Sequence, residues 1–150
     1  MNTQMKSREN ALHDIFVTAL EGGIGYWSQA ISYRWALEDT GIEDLRGFRA
    51  VIVDVEQEYA PGEYRPEFAA SRVRMSDGTY RWKYEINAET ISRGVTRFIA
   101  YVRGLHGNVS EYWRRAAVDL DWGHWDDLDV DSEIADAIVQ LALFDEIVFG

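Results

Sequence analysis

Thr79-Tyr80-Arg81-Trp82-Lys83-Tyr84-Glu85-Ile86-Asn87-Ala88-Glu89-Thr90-Ile91 decides the fold, because its hydrophobic period changes partway through. Up to Ile86 the pattern has period two. Tyr80, Trp82, Tyr84 and Ile86 point one way, and Arg81, Lys83 and Glu85 the other, as in a strand with one face in a core. From Asn87 the period becomes helical. Asn87 is a helix cap, and Ile91, Val95, Phe98, Ile99 and Val102 form a buried stripe that Gly104 ends. A strand running directly into an amphipathic helix means a sheet with helices packed against it.

Upstream of this stretch, Ser76-Asp77-Gly78 is a hairpin turn, and Arg72-Val73-Arg74-Met75 is its partner strand. Ala50 to Val55 is a further strand. Gln57 to Pro66 is a polar loop holding both prolines, and Gly41 to Gly47 is a connector. Trp27 to Trp35 fits a helix or a strand. The dominance of aromatic and β-branched residues favours a strand with Trp27, Ile31, Tyr33 and Trp35 on one face. Near the N-terminus, Asn10 can cap a helix carrying Leu12, Ile15, Phe16, Ala19 and Leu20, which Gly22-Gly23 stop.

Downstream, Ser110 to Ala117 reads as a short helix and Val118 to Val130 as a loop. Asp131 or Ser132 caps a last helix with Ile134, Ile138, Leu141 and Ala142 on its stripe. Glu146 to Gly150 either continues that helix or adds a strand. The expectation is an α+β domain: an N-terminal helix, an antiparallel meander of about four strands, then two to three helices packed on one sheet face. Residues 1–9 are expected to be a flexible N-terminus and residues 10–150 the single domain, a size that buries enough core to fold unaided.

Charge is unevenly spread. All 15 Lys and Arg residues lie at or before Arg115, so the last 35 residues contain none. Those residues contribute 10 of the 26 acids, and with them nearly all of the net charge of −11. Such a balance argues against direct nucleic-acid binding, since phosphates are repelled, and favours a basic partner. The absence of cysteine excludes disulfides, thiol catalysis and thiolate metal sites, and suits a cytoplasmic protein. Met1 to Glu9 is polar, without the apolar stretch of a signal peptide, and no apolar run approaches a membrane span. Nothing in the sequence decides the oligomeric state, and a homo-oligomer is compatible with it.

Asp119 to Glu133 concentrates the unusual chemistry: seven acids, two tryptophans and a histidine in 15 residues. Clustered carboxylates suit hard cations, but counting from Asp119 places His124 sixth and Val130 twelfth, where a calcium-binding EF-hand needs Gly and Glu. One histidine among scattered aspartates is also a poor transition-metal set; no metal ligand is assigned and no cofactor is expected, a calcium or magnesium site outside the EF-hand pattern being the alternative for this segment. Carboxylates with Trp122 and Trp125 are suited to a basic surface, in the limit by imitating nucleic acid. The candidate partner-binding residues are therefore Asp119, Asp121, Trp122, Trp125, Asp126, Asp127, Asp129 and Asp131. The competing reading is structural. Asp129, Asp131 and Glu133 sit where a helix N-terminus welcomes anions. Arg93, Arg97, Arg103, Arg114 and Arg115 offer internal salt-bridge partners.

Other motifs are weaker. Gly22-Gly23-Ile24-Gly25 comes after a helix, whose C-terminus repels the phosphates that glycine-rich loops otherwise bind. Aromatic and basic residues alternate along Tyr80 to Tyr84, which separates them onto opposite faces. His13, His106 and His124 are far apart in sequence, and no nucleophile elbow is present, so the balance is against an enzyme. An alternative small-ligand site, for a nucleotide sponge or a small hydrolase, would lie between the helices and the sheet near Tyr26, Trp27 and Trp82.

Two segments carry a resemblance. Thr18-Ala19-Leu20-Glu21-Gly22-Gly23-Ile24-Gly25-Tyr26-Trp27 and Asp136 to Gly150, with its Gln140-Leu141-Ala142-Leu143-Phe144-Asp145-Glu146-Ile147-Val148-Phe149-Gly150 ending, resemble the two ends of small proteins encoded by bacteriophages, notably those of actinobacteria. In that pattern Gly commonly stands at Asp145 and Tyr at Phe149. The resemblance implies a phage accessory protein acting inside a bacterial host, a class that often binds and blocks host factors, including defence systems. No activity and no functional residues transfer with it.

Overall fold

The computed structural model describes residues 3–35, 48–54, 67–125 and 128–149. It has the expected α+β layout. Helix α1 (Thr3–Thr18) runs into a π-type turn (Ala19–Gly23), after which come β1 (Ser28–Trp35), β2 (Phe48–Asp54), β3 (Ala69–Arg74) and β4 (Tyr80–Asn87). Helices α2 (Ala88–Gly104), α3 (Glu111–Trp122) and α4 (Ser132–Phe144) complete it.

All strand pairs are antiparallel, and the spatial order is β1-β2-β4-β3. That order refines the expected meander: β3 lies at an edge, and β4 is inserted between it and β2. Register explains why β4 carries the clearest alternation. Ala50 pairs with Ile86, and Ile52 with Tyr84, which also faces Ala69 across the other edge. All five are buried, and they belong to the same core as Leu12, Phe16, Ile91, Phe98 and Ile138 of the helices.

The period change at Asn87 appears as a reciprocal cap. The Asn87 side chain accepts from Thr90 N at 3.0 Å, and Thr90 Oγ1 accepts from Asn87 N at 3.1 Å. Two orphan donors are thereby satisfied where the strand ends. The predicted stripe of α2 is buried at Ile91, Val95, Phe98 and Val102. Between its residues, Gly94 faces α4 so closely that a Cβ there would lie 2.3 Å from the Ile138 carbonyl oxygen. Arg93 Nε and Arg97 Nη1 donate to the α4 carbonyls of Ala142 (2.9 Å) and Leu141 (2.8 Å), in the last turn, where helix carbonyls run out of intrahelical partners. Phe68 packs beneath the Arg93 guanidinium, 3.7 Å from it to the ring centre.

Several expectations need correction. Asn10, expected to cap the first helix, lies inside α1, which begins at Thr3. The strand at Ser28–Trp35 is as expected, but the placing of Ile31 is not. A bulge between Ala30 and Ser32 breaks the alternation at Ile31, which is 50% exposed, while Tyr33 pairs with the buried Ala50 and its ring centre lies 6.3 Å from that of Phe16. Arg72 of β3 shares a face with the aromatic ladder of β4. It faces Trp82 across the β3–β4 pair, with its guanidinium 4.9 Å from the Tyr80 ring centre and 5.9 Å from that of Trp82.

Helix α3 continues to Trp122, five residues beyond its expected end, because Leu120 extends the buried pair Ala116 and Ala117 by a further turn. Residues 145–149 form neither helix nor strand. Asp145 ends α4 in the left-handed region (φ 59°), and the buried Gln140 side chain fixes the residues beyond it. Gln140 Oε1 accepts from Val148 N and Phe149 N, both at 2.8 Å, while Nε2 donates to Phe149 O at 3.2 Å. One amide thus takes the place of a neighbouring strand. Phe149 is held flat on Trp27, with ring centres 4.9 Å apart. The predicted connector Gly41–Gly47 and loop Gln57–Pro66 lie outside the described residues.

Candidate functional site

The C-terminal end of α3 carries the site. Ser110 starts that helix by accepting from Trp113 N at 3.2 Å. Gly123 ends it with φ 73°, a conformation glycine adopts without strain. Asp119 and Asp121 therefore stand in the final turn, and Trp122 is the last helical residue. Acids there face the negative end of the peptide dipole, and the turn holds no basic residue to compensate.

Each acid has a neighbour. Asp119 Oδ1 lies 3.2 Å from His124 Nδ1, and Asp121 pairs with Arg103 of α2. The Asp121–Arg103 pair is solvent-exposed and so contributes little to stability. Trp122 is 73% exposed, the most of any large hydrophobic side chain among the described residues. The His124 ring stands over one side of it, with ring centres 6.4 Å apart. Trp125 is half-buried and packs beside Gly123.

Beside this helix end lies a cleft of about 540 Å³. Its α2 wall is Ser92, Val95, Thr96 and Ile99, one face at helical spacing. Leu120, Asp121, Trp122, Gly123 and Trp125 form the opposite wall. Arg8 of α1 closes one end, donating from Nη2 to Ser92 Oγ at 2.7 Å. The floor is apolar, since Val95 and Leu120 are buried.

The structure divides the eight candidate residues. Asp121, Trp122 and Trp125 line the cleft, and Asp119 adjoins it on the same helical turn. Asp131 caps α4, accepting from Ile134 N at 2.9 Å. Asp129 is exposed beside Tyr112. Burial first, then the charges of Asp131 and Asp129, hold the Tyr112 phenol above its ordinary range. Asp126 and Asp127 lie outside the described residues. Among the described residues, no group of three or more His, Asp and Glu side chains is placed to hold a metal ion.

The alternative trio occupies other ground. Trp27 is fully buried, and its Nε1 donates to Asp136 Oδ1 at 2.8 Å. Tyr26, 48% exposed, donates to the other Asp136 oxygen, also at 2.8 Å. Trp82 is a buried part of the sheet core. Tyr26 and Trp27 thus converge on Asp136, which also accepts from Gln140 Nε2 at 2.8 Å. This polar junction ties the turn after α1 to α4 and to the C-terminal residues. Beneath it, a Cβ on Gly23 would stand 2.6 Å from Ser132 O, so the glycine pair is used for close packing against the start of α4.

Sequence reasoning missed the α1 and α2 sides of the cleft. Ser92 and Thr96 stand three residues before Val95 and Ile99 of the stripe, a spacing that marks one helix face. Arg8 falls within the expected N-terminal lead. No protein-family model matches the chain, and no curated protein or solved structure shows a significant match. Among the described residues no helix is long and apolar enough to cross a membrane.

Proposed function

We propose that the chain is a non-catalytic accessory protein, of the phage type its two ends resemble, that acts in the cytoplasm of a bacterial host. It binds and inhibits a host macromolecule with a basic surface, a defence factor being one candidate class. The observation that carries this reading is the end of α3. Asp119 and Asp121 stand at the helix end that disfavours anions, beside a tryptophan that is 73% exposed. Neither feature contributes much to the fold, and together they make a negatively charged contact with an exposed indole. Arg, Tyr and Trp dominate interface hot spots, and an acidic surface speeds encounter with a basic one.

The test is affinity capture from infected host cells, using the wild-type chain and an Asp119→Asn/Asp121→Asn/Trp122→Ala variant as baits over a salt series. A basic host protein held by the wild type, released by salt and lost by the variant is expected. Equal retention by both baits sinks the reading.

A small-ligand module is the second reading. It is favoured by the cleft volume of about 540 Å³, which lies within the roughly 300–1,000 Å³ of small-molecule sites. Its ligand would enter between α2 and α3, not beside Trp27 and Trp82. A thermal-shift screen with nucleotides and divalent cations separates the two, since a ligand selective for the native state raises Tm.

A further inference from the structure

The cleft is chemically graded along its length. At the α1 end stands the Arg8 guanidinium, 2.7 Å from Ser92 Oγ. At the α3 end stand the Asp121 carboxylate and the indole of Trp122. Between them the floor is aliphatic, built from Val95, Ile99 and Leu120. A phosphate or carboxylate ligand is repelled at the α3 end by both the acids and the helix dipole. A purely apolar group would desolvate Asp121 without offering it a partner.

We infer that the cleft takes a single arginine side chain of the basic partner, an inference that rests on the function proposed above. The methylene stem lies along Val95, Ile99 and Leu120. The guanidinium reaches the α3 end, stacks on the side of the Trp122 indole away from His124, and shares Asp121 with Arg103. Arginine fits better than lysine for two physical reasons. Its planar, weakly hydrated head stacks on an indole face and still donates in plane to a carboxylate. Lysine's ammonium is a hydrated point charge that gains less from the indole and loses more water on entering the cleft. The existing Arg103–Asp121 pair is no obstacle, because it is exposed and cheaply rearranged. Arg8 sets the direction of entry, since a cation at its end would be repelled.

The experiment uses the full chain with 5-fluorotryptophan at its tryptophans, the Trp122 fluorine resonance being assigned by Trp122→Phe. It is titrated with capped penta-arginine, penta-lysine and penta-citrulline peptides. Three further proteins are compared: Thr96→Phe, which fills the cleft without changing charge, Trp122→Leu, which removes the stacking surface, and Asp119→Asn/Asp121→Asn. The expected result is that the arginine peptide moves the Trp122 resonance and binds about tenfold more tightly than the lysine peptide. Citrulline should not bind. Thr96→Phe and Trp122→Leu should each bring the arginine peptide down to the lysine level.

If arginine and lysine peptides bind the wild type equally, and Thr96→Phe leaves both unchanged, the cleft is not an arginine site. The acidic-surface function still stands in that case if the Asn pair weakens both peptides. If the Asn pair also has no effect, both fail together. Binding of citrulline as tight as arginine overturns the inference as well. Thr96 is exposed, so Thr96→Phe should fold normally, and Trp122→Leu tests the same point at the other wall.

Discussion

Replacing Gly94 with alanine separates two effects of opposite sign. Gly94 is in the middle of α2, where alanine improves helix propensity by about 1 kcal/mol. Propensity alone therefore predicts a more stable protein. The structure predicts the reverse. The new Cβ would lie 2.3 Å from the Ile138 carbonyl oxygen, 2.9 Å from Ile138 Cγ2 and 3.0 Å from Ala142 Cβ. Carbon–oxygen contacts settle at about 3.3–3.6 Å, so α2 and α4 must part by about 1 Å. A gap of that size forfeits a quarter to a half of the dispersion energy of each atom pair it opens. It opens many, because Ile91, Val95 and Phe98 of α2 and Ile134, Ile138 and Leu141 of α4 belong to one core. Overpacking costs about 1–3 kcal/mol, and contact with backbone rather than a flexible side chain belongs at the upper end. Net destabilisation is then about 2 kcal/mol, a fall in Tm of about 4–8 °C for a chain of this size. Thermal and urea unfolding followed by far-UV circular dichroism measure it. Gly104→Ala is the control: a Cβ there meets nothing within 4 Å, and no loss is expected. A Gly94→Ala protein as stable as the wild type would falsify the close α2–α4 crossing.

Particular contacts predict further outcomes. Gln140→Leu leaves Val148 N, Phe149 N and Phe149 O without the partner they have now, and should destabilise by about 3 kcal/mol in urea unfolding. Gln140→Glu keeps both accepted bonds but sets a second carboxylate where Nε2 stands 2.8 Å from Asp136 Oδ1, and should also destabilise in urea unfolding through like-charge repulsion. Asp131→Ala removes the α4 cap and should cost about 1 kcal/mol by the same measurement. The difference between ultraviolet pH titrations of the wild type and Tyr112→Phe should show Tyr112 ionising above the ordinary range. Because the folded phenol holds its proton more tightly than the unfolded one, stability should fall as pH rises from about 10 through the folded value.

The strand-to-helix change at Asn87 was readable because every local signal there agrees: alternation, cap and stripe point the same way. Hairpin β3–β4 was equally plain from Asp77-Gly78. Three features were not readable, each for a physical reason. The bulge in β1 has no sequence signature in Gln29-Ala30-Ile31-Ser32, so the displacement of Ile31 from the paired register was not legible. The continuation of α3 was hidden because Asp119, Asp121 and Trp122 resemble a loop in composition, and Leu120 alone marks the buried face. Gln140 reads as a polar residue in a helix, and only the returning chain at Val148 and Phe149 gives it buried partners. The cleft needed three helices brought together, with Arg8 and Thr96 distant in sequence from Trp122. The acidic, Trp-containing segment was visible at once, but its division between a helix end, a helix cap and a cleft wall was not.

The charge split at Arg115 resolves unevenly once the helices are placed. Arg93 and Arg97 meet the C-terminal carbonyls of α4, with Arg97 Nε 3.5 Å from Asp145, and Asp131 and Glu133 stand at the α4 N-terminus. Arg93, Arg97, Asp131 and Glu133 are each at the end of a helix dipole that favours their charge. Asp119 and Asp121 are not, and that separates their role by experiment. In an Asp119→Asn/Asp121→Asn variant, relief at the α3 C-terminus should return about 0.3–1 kcal/mol. Against it stands loss of the exposed Arg103 pair and the His124 contact, together about 0–1 kcal/mol. The two nearly cancel, so unfolding in urea should be unchanged within about 0.5 kcal/mol while binding to a basic partner is lost. A variant destabilised by about 2 kcal/mol or more would show instead that these carboxylates hold the fold together, and the end of α3 would lose its claim to be a contact surface.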